Sequence, residues 1–575
     1  MKKLLHSIRQ SPPLFQLAVL SYFTILTIAY TYPLIFHMAD SVADAIGDNV
    51  YFVWLFGWYP KALFTLKSNP FFNPWMNYPQ GWNLATTDTI PALALLGLPA
   101  SMAFGPIWAY NFTILATFVL TGWCMFLVVK KLTNSPLAGI MAGTIFAFSP
   151  FRYARYLVGH LCFLGMFWFP LLFLAVAEFL GRDRWQWRWL IAAMLLTLGI
   201  GMTSPYYLYM GLIISGVFIL ALIGFSHKTL PLKSSIFRGV TLMAAIGTAA
   251  LVSMLPYLTA ESQGSLANHS LDNAIRYSGS PLDFILPVNF YLGESLYDQV
   301  GRSLEHENSL YIGLVCLALA VLAWIKRRDL KLSPWIWAAL VSSLVAGVLA
   351  MGINLQILDS PDLPVPRILR PILGSGPLQI RMPGYFLFLY LPFFAKMRVM
   401  LRFGVYTLTF MSLLAGLGCA WLFRKFPARR YWIAVILFVA LVLDVYPGVH
   451  ARFARVETRP VDLWLAAQPG SGAVAQFPFE QVVDQDQVYN TLIHGKPFIG
   501  GFFNANQPAQ YIAIKPVMEN FPDKDSVALL RELGIQYILV DSSSYPDFGD
   551  VQQRILDLGL VLQTVEDGQY VYTWP

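Results

Sequence analysis

The stretch His37–Trp54, HMADSVADAIGDNVYFVW, follows a long apolar run and sets Asp40, Asp44 and Asp48 at four-residue intervals just beyond it. Residues four apart share one face of a helix, so a helical reading aligns the three acids. The aromatic residues that follow (Tyr51, Phe52, Trp54, Trp58) would then lay the next helix in a membrane interface. A carboxylate held there can reach a polar group carried by a lipid. A solvated acidic loop is the plainer reading for Asp40 and Asp44, whereas Asp48, set between Gly47 and the aromatic run, is the candidate for chemistry.

With 57% hydrophobic residues, 12% charged and a mean hydropathy of +0.56, the chain around this stretch is not a soluble globule. A polytopic, all-α membrane domain is expected. The chain begins MKKLLHSIRQ and runs apolar from Leu14 to Phe36, too long for a signal-peptide core and with no small-residue cleavage site after it, so it is expected to stay attached. About eleven transmembrane helices are expected, at 14–36, 107–129, 134–149, 161–178, 188–203, 205–225, 239–258, 309–325, 333–352, 403–423 and 431–447. Lys and Arg gather in every second connection, at 130–131, 182–188, 228–238, 326–331 and 424–430. The positive-inside rule makes these connections and the amino terminus cytoplasmic, and the segment after the last span extracytoplasmic. The net charge of +7 then reflects topology and anionic membrane lipids, with no nucleic acid implied. The four cysteines, Cys124, Cys162, Cys316 and Cys419, fall inside expected spans and read as small apolar residues rather than as a disulfide or a metal site.

The outer connections carry the remaining signals. The first, 37–106, contains two apolar segments, 49–66 (broken by Pro60) and 89–104, that suit helices lying in the interface, with a Pro- and Gly-punctuated loop, NPFFNPWMNYPQGWNL (69–84), between them to wall a cavity. Asp88 reads as the N-cap of the helix after it. The second, 259–308, ends in Glu305-His306-Glu307-Asn308, with Glu305 or His306 as candidate substrate contacts. Two basic clusters sit on the outer side against the positive-inside trend. Arg152 and Arg155, in SPFRYARYLVGH (149–160), are three apart and so on one helical face, with His160 a short turn beyond; Lys396, Arg398 and Arg402 precede the tenth span. Snorkelling anchors for span ends are the structural alternative. From about Ala451 the composition becomes that of an ordinary α/β domain, so the chain divides into a membrane domain, 1–450, and an extracytoplasmic α/β domain, 451–575. Strands are expected at GAVAQFP, QYILVD and QYVYTW, and helices at QDQVYNTLIHG, SVALLRELGI and QQRILDLGL. No Gly-rich phosphate loop, zinc spacing, nucleophile elbow or internal repeat is visible.

GDN-YF-W at 47–54, NP-x3-P-x3-YP-x-G at 69–81, SPFRYARYLVGH at 149–160, LRFGVY at 401–406 and HGKPFIGGF at 494–502 resemble membrane proteins of the GT-C superfamily of integral-membrane glycosyltransferases, as does the overall organisation. That resemblance implies transfer of a sugar from a polyprenyl-phosphate carrier to a glycan, lipid or protein acceptor at the outer face of the cell membrane. It makes Asp48 the general base, with Asp44, Arg152, Arg155, His160, Glu305, His306, Arg398 and Arg402 as substrate contacts. A base accepts the acceptor hydroxyl's proton as the oxygen attacks the anomeric carbon, and guanidinium forks meet the charge developing on the phosphate. Some enzymes of the superfamily hold a divalent metal. The first outer loop here lacks an adjacent acidic pair or a DxD, so no metal or other cofactor is expected, and a divalent ion stays the open alternative. The competing class is a transporter, flippase or non-catalytic assembly protein for lipid-linked glycans. Ion-coupled transport places ionisable groups in mid-membrane, whereas Glu178 and Asp444 lie near span ends.

Overall fold

The computed structural model describes residues 12–181, 185–226, 231–262, 266–287, 306–365, 367–374, 376–480, 487–503 and 506–575. Among them, seven helices are long and apolar enough to cross a bilayer: Pro13–Tyr30, Pro106–Thr133, Leu161–Leu180, Pro205–Ser226, Leu232–Ser262, Ser333–Ala350 and Met400–Lys425. The protein is a mostly helical, multi-pass membrane protein. The other expected spans are also helices, Pro136–Ala147, Trp187–Gly201, Leu314–Ile325 and Arg430–Val445, but of only 12, 15, 12 and 16 residues. Such helices rise about 18–24 Å, short of a ~30 Å hydrocarbon core. Local punctuation trims two of them. Ser135 caps the first, its side chain accepting from the Ala138 N–H with Pro136 at the first helical position, and Gly313, at φ 88°, opens the third.

The chain forms two compact units. The first gathers Met1–Ile35, Ile114–Met254 and Asn268–Ala451. Its centre is the helix Gly404–Lys425, buried along nearly its whole length. A methyl group at Gly418 would come within 2.1 Å of the Leu319 carbonyl oxygen, and one at Gly416 within 2.6 Å of the Ala142 side chain. Small residues therefore let this helix approach Leu314–Ile325 and Pro136–Ala147 closely, which is how packing is gained where lipid supplies no hydrophobic drive.

The second unit gathers Phe36–Thr113, Leu255–Ala267 and Arg452–Pro575. Here β1 (Ser41–Ala43) pairs antiparallel with β4 (Phe453–Arg455), Ser41 opposite Arg455, while β2 (Phe72–Asn73) pairs with β3 (Trp82–Asn83). The helical alignment of Asp40, Asp44 and Asp48 is thereby corrected. The chain through 41–43 is a buried strand and Asp44 turns it at φ 61°, because ladder bonds to β4 replace those a helix would supply. Lys61–Leu66, a wider helical turn with Leu63, Phe64 and Leu66 exposed, continues the helix Asp48–Pro60, which has no exposed apolar face. Its aromatic side chains are buried: Tyr51 stacks on Phe502 at 4.2 Å and Trp54 on Trp58 at 5.9 Å. A helix apolar all round needs cover on every side, and its own unit supplies it.

The sheet of this unit runs β5 (Ala473–Phe477), β6 (Ile535–Asp541), β8 (Gln569–Thr573), β7 (Val561–Glu566), with β5 and β6 parallel and the other pairs antiparallel. The three expected strands are β5, β6 and β8, and helices Lys524–Glu532 and Phe548–Asp557 stand where expected. β7 lies over VLQTVE, whose alternation of exposed and half-buried residues gives a weak signal. Of QDQVYNTLIHG, residues 485 and 486 lie outside the described ones, and Gln487 and Thr491–His494 are helical. The loop 69–84 is also sheet-like in part. The backbone around Phe498 flanks β5 (Val474 N–H to Pro497 O, 2.8 Å; Ile499 N–H to Val474 O, 3.1 Å) and residues 75–78 flank it in turn (Phe498 N–H to Trp75 O, 2.6 Å; Tyr78 N–H to Phe498 O, 3.1 Å).

Candidate functional site

In the first unit Arg152 and Arg155 part company. Both lie on the helix Pro150–Leu157 and both are fully buried. Arg152 is spent on the fold: its Nε donates to the Ala147 carbonyl (3.0 Å), Nη1 to that of Leu164 (2.6 Å) and Nη2 to the Thr117 hydroxyl (3.3 Å), with its plane over Phe118. Carbonyls left open where one helix ends and a turn begins are thus capped by one guanidinium. Arg155 instead donates through Nη2 to Glu307 Oε2 (2.7 Å) and through Nη1 to His160 Nδ1 (2.8 Å). An arginine N–H can only donate, so Nδ1 is the accepting nitrogen and the proton of the neutral ring sits on Nε2.

Arg402 completes the cluster. Its Nη2 reaches Glu307 Oε1 at 2.7 Å and its Nε reaches Oε2 at 3.3 Å, while its plane lies 3.8 Å from the Phe163 ring centre and 4.6 Å from that of Tyr206. Two buried cations therefore share the Glu307 carboxylate, with half-buried His160 beside them. Burial by itself would raise the Glu307 carboxyl, but the guanidinium groups of Arg155 and Arg402 outweigh it and hold the group well below the usual carboxylate range. Among the described residues of this stretch, the one that joins the cluster is Glu307, next to the expected Glu305 and His306. Glu305 and the His306 side chain lie outside the described residues. The signal that points to Glu307 is the need itself: a chain that buries two arginines must bury a counter-charge with them. Arg398 stands over the Tyr277 ring at 5.3 Å and is not among the groups that bind Glu307.

In the second unit Asp48 is the first residue of its helix, half-buried at the positive end of the helix dipole. The loop before it is held by a residue the sequence reading passed over. The Asn49 side chain accepts from the Gly47 N–H (3.0 Å) and donates to the Ala45 carbonyl (2.7 Å). Asn111, fully buried, donates to the carbonyls of Met38 (3.1 Å) and Ser41 (2.9 Å). Asp44 faces Arg452 at 3.6 Å and its N–H bonds the Arg452 carbonyl, so it is tied to the β1–β4 pair. Asp88 is not an N-cap. The residue before the helix Pro91–Phe104 is Ile90, in the left-handed region at φ 45°, and no side chain caps it. The backbone carbonyl of Asp88 accepts from the Tyr51 hydroxyl at 3.1 Å, one helical turn past Asp48. Among the described residues no three His, Cys, Asp or Glu side chains are grouped to hold a metal ion.

No curated protein matches this sequence. Among solved structures, the fold is similar to that of the apo oligosaccharyltransferase of Archaeoglobus fulgidus, at 12% identity and a TM-score of 0.51 over 92% of this chain and 70% of that one. It is similar also to the arabinofuranosyltransferase AftD from Mycobacteria, at 14% identity and a TM-score of 0.53 over 97% of this chain and 41% of the larger one. At such identities the likeness is one of fold, and that fold is the GT-C-like one expected from the sequence. A match to the family described as Domain of unknown function (DUF6311) runs over residues 51–376, more than half of the sequence, and the chain belongs to that family.

Proposed function

We propose that this protein is a membrane glycosyltransferase that moves a sugar from a polyprenyl-phosphate carrier to an acceptor on the extracytoplasmic side of the cell membrane. The observation that carries the reading is the Arg155–Glu307–Arg402 cluster with His160: a buried, preorganised pair of guanidinium forks held on one carboxylate, set in a fold whose relatives bear the names of sugar-transferring enzymes. Such a site suits a leaving phosphate, whose charge grows as the glycosidic bond breaks. Arg152, with its donors on the protein's own carbonyls, has no part in this version of the reaction.

Asp48 is the general base of the proposal. It takes the acceptor hydroxyl's proton while that oxygen attacks the anomeric carbon, and direct displacement of this kind inverts the sugar. No soluble nucleotide-sugar and no metal is needed. The test is transfer of radiolabel from a polyprenyl-phosphate sugar to acceptor by the protein reconstituted in lipid. Transfer is expected to survive chelation and to fall by about 10²–10⁴ in Asp48→Asn, the range that one general base contributes. An Asp48→Asn protein that transfers at the original rate removes the base assignment. Lipid movement across the bilayer with no new glycosidic bond replaces the whole reading with that of a flippase.

A further inference from the structure

Between the spans Ser333–Ala350 and Met400–Lys425 the described residues form no other helix of spanning length, which puts both ends of the segment 351–399 at one membrane face. It builds an arm. Its two limbs pair antiparallel, Leu355 N–H to Ile380 O at 2.8 Å and Leu363 with Leu378 through bonds of 3.0 and 2.9 Å. Its base is pinned by Gln356 Nε2 to the Ile275 carbonyl (2.6 Å) and by Ile353 N–H to Ser278 Oγ (3.0 Å). The tip is two short turns, Arg367–Leu369 and Arg370–Leu373. Ile368 and Ile372 there are 85% and 81% exposed, the two most exposed of the large apolar residues described. Between Leu363 and Arg381 the sequence holds Arg367 and Arg370 and no acid, the arm's two acids, Asp359 and Asp362, coming before the tip. The limb that returns to the bundle continues the pattern with exposed Phe386 (55%) and Tyr390 (78%).

Two isoleucines fully open to water on a basic tip are costly for a soluble surface and ordinary for one that meets lipid. The charge selects which lipid, because arginines near a bilayer gain from anionic headgroups, and aromatic residues settle at headgroup depth. We propose that the arm's tip is a membrane-surface anchor: Ile368 and Ile372 enter the interfacial layer of the bilayer while Arg367 and Arg370 meet anionic headgroup phosphates. The proposal is independent of the transfer reaction. It assigns the segment before Arg402 to lipid rather than to the acceptor.

The full-length protein tests it directly, because its four cysteines are buried and a thiol-reactive dye will report on an introduced one. An environment-sensitive fluorophore on Ile368→Cys and, separately, on Ile372→Cys is read in bilayers of phosphatidylcholine with and without phosphatidylglycerol. The expected result is blue-shifted emission, quenching by spin-labelled lipid and protection from aqueous iodide in the anionic bilayers. Arg367→Gln and Arg370→Gln in the labelled background should each lower the inserted fraction's equilibrium constant about fivefold. Iodide access without lipid quenching at both sites overturns the anchor. Insertion equal in neutral and anionic bilayers overturns the assignment to anionic headgroups.

Discussion

Glu307 decides the chemistry of the first unit because it is the shared counter-ion of Arg155 and Arg402, all three buried. Removing its charge takes from two buried guanidinium groups the carboxylate they share, a change expected to cost about 3–5 kcal/mol. Glu307→Gln should therefore melt well below the parent protein in thermal unfolding, and Arg402→Lys, which keeps a cation but loses the fork, should melt between the two. Equal melting of all three would mean that solvent or lipid already compensates the charges. The carboxyl is held low, so its stabilising ionisation is complete above the unfolded value of about 4.3 and is lost only as pH falls through the lower folded value. The cluster's Glu307 term is thus constant from pH 5 to 8. Arg155, His160 and Arg402 stand out in the sequence because the expected topology puts these arginines on the outer side, against the charge rule. Glu307 does not, since three polar residues in a row carry no period that says which one turns inward.

At the scale of elements, the sheet unit hides a titratable network that chain order scatters. Fully buried Asp462 accepts two bonds of 2.8 Å from Arg459, and His494, also buried, accepts through Nδ1 from the Lys496 N–H at 3.0 Å. Burial pushes the His494 imidazole down to about 4. Between pH 6.5 and 4 the unfolded chain takes a proton there that the folded chain refuses. Stability is full above about pH 6.5 and falls by about 3 kcal/mol as pH drops to 4, then loses nothing further from this group. Unfolding followed against pH should show that slope in the parent and a flatter one in His494→Asn; identical slopes would place the histidine in water. In sequence, the helical pattern before His494 and the Gly-Lys-Pro after it read as those of a capping or surface residue. What buries it is packing around the sheet, which no local pattern records. The same holds for Asp40, Asp44 and Asp48, whose spacing promised a helix until the ladder between β1 and β4 took the backbone.

Across the whole molecule the five sequence patterns sort into two constellations. SPFRYARYLVGH and LRFGVY meet through Glu307 in the first unit. GDN-YF-W, NP-x3-P-x3-YP-x-G and HGKPFIGGF meet in the second, by the Tyr51–Phe502 stack and the backbone bonds of residues 75–78 to 498–500. The loop 69–84 is therefore held by the C-terminal residues that share its unit. A chain ended after Ala451 should expose 69–84, and limited proteolysis should cut that loop far faster than in the full chain, where Phe498 and Gly500 hold it. Equal protection would show that the loop folds without those partners.

Composition, apolar run length and basic spacing by themselves determined that the chain is a many-helix membrane protein. Local pattern also placed the strands β5, β6 and β8, because hydrophobic transfer and backbone satisfaction act within each short stretch. Only the tertiary structure decided which arginine is structural, which acid is the counter-ion and which aromatic helix is core. Those outcomes depend on what lies across from a side chain, often more than a hundred residues away, and a buried charge or ring takes its role from that neighbour rather than from the residues beside it in sequence.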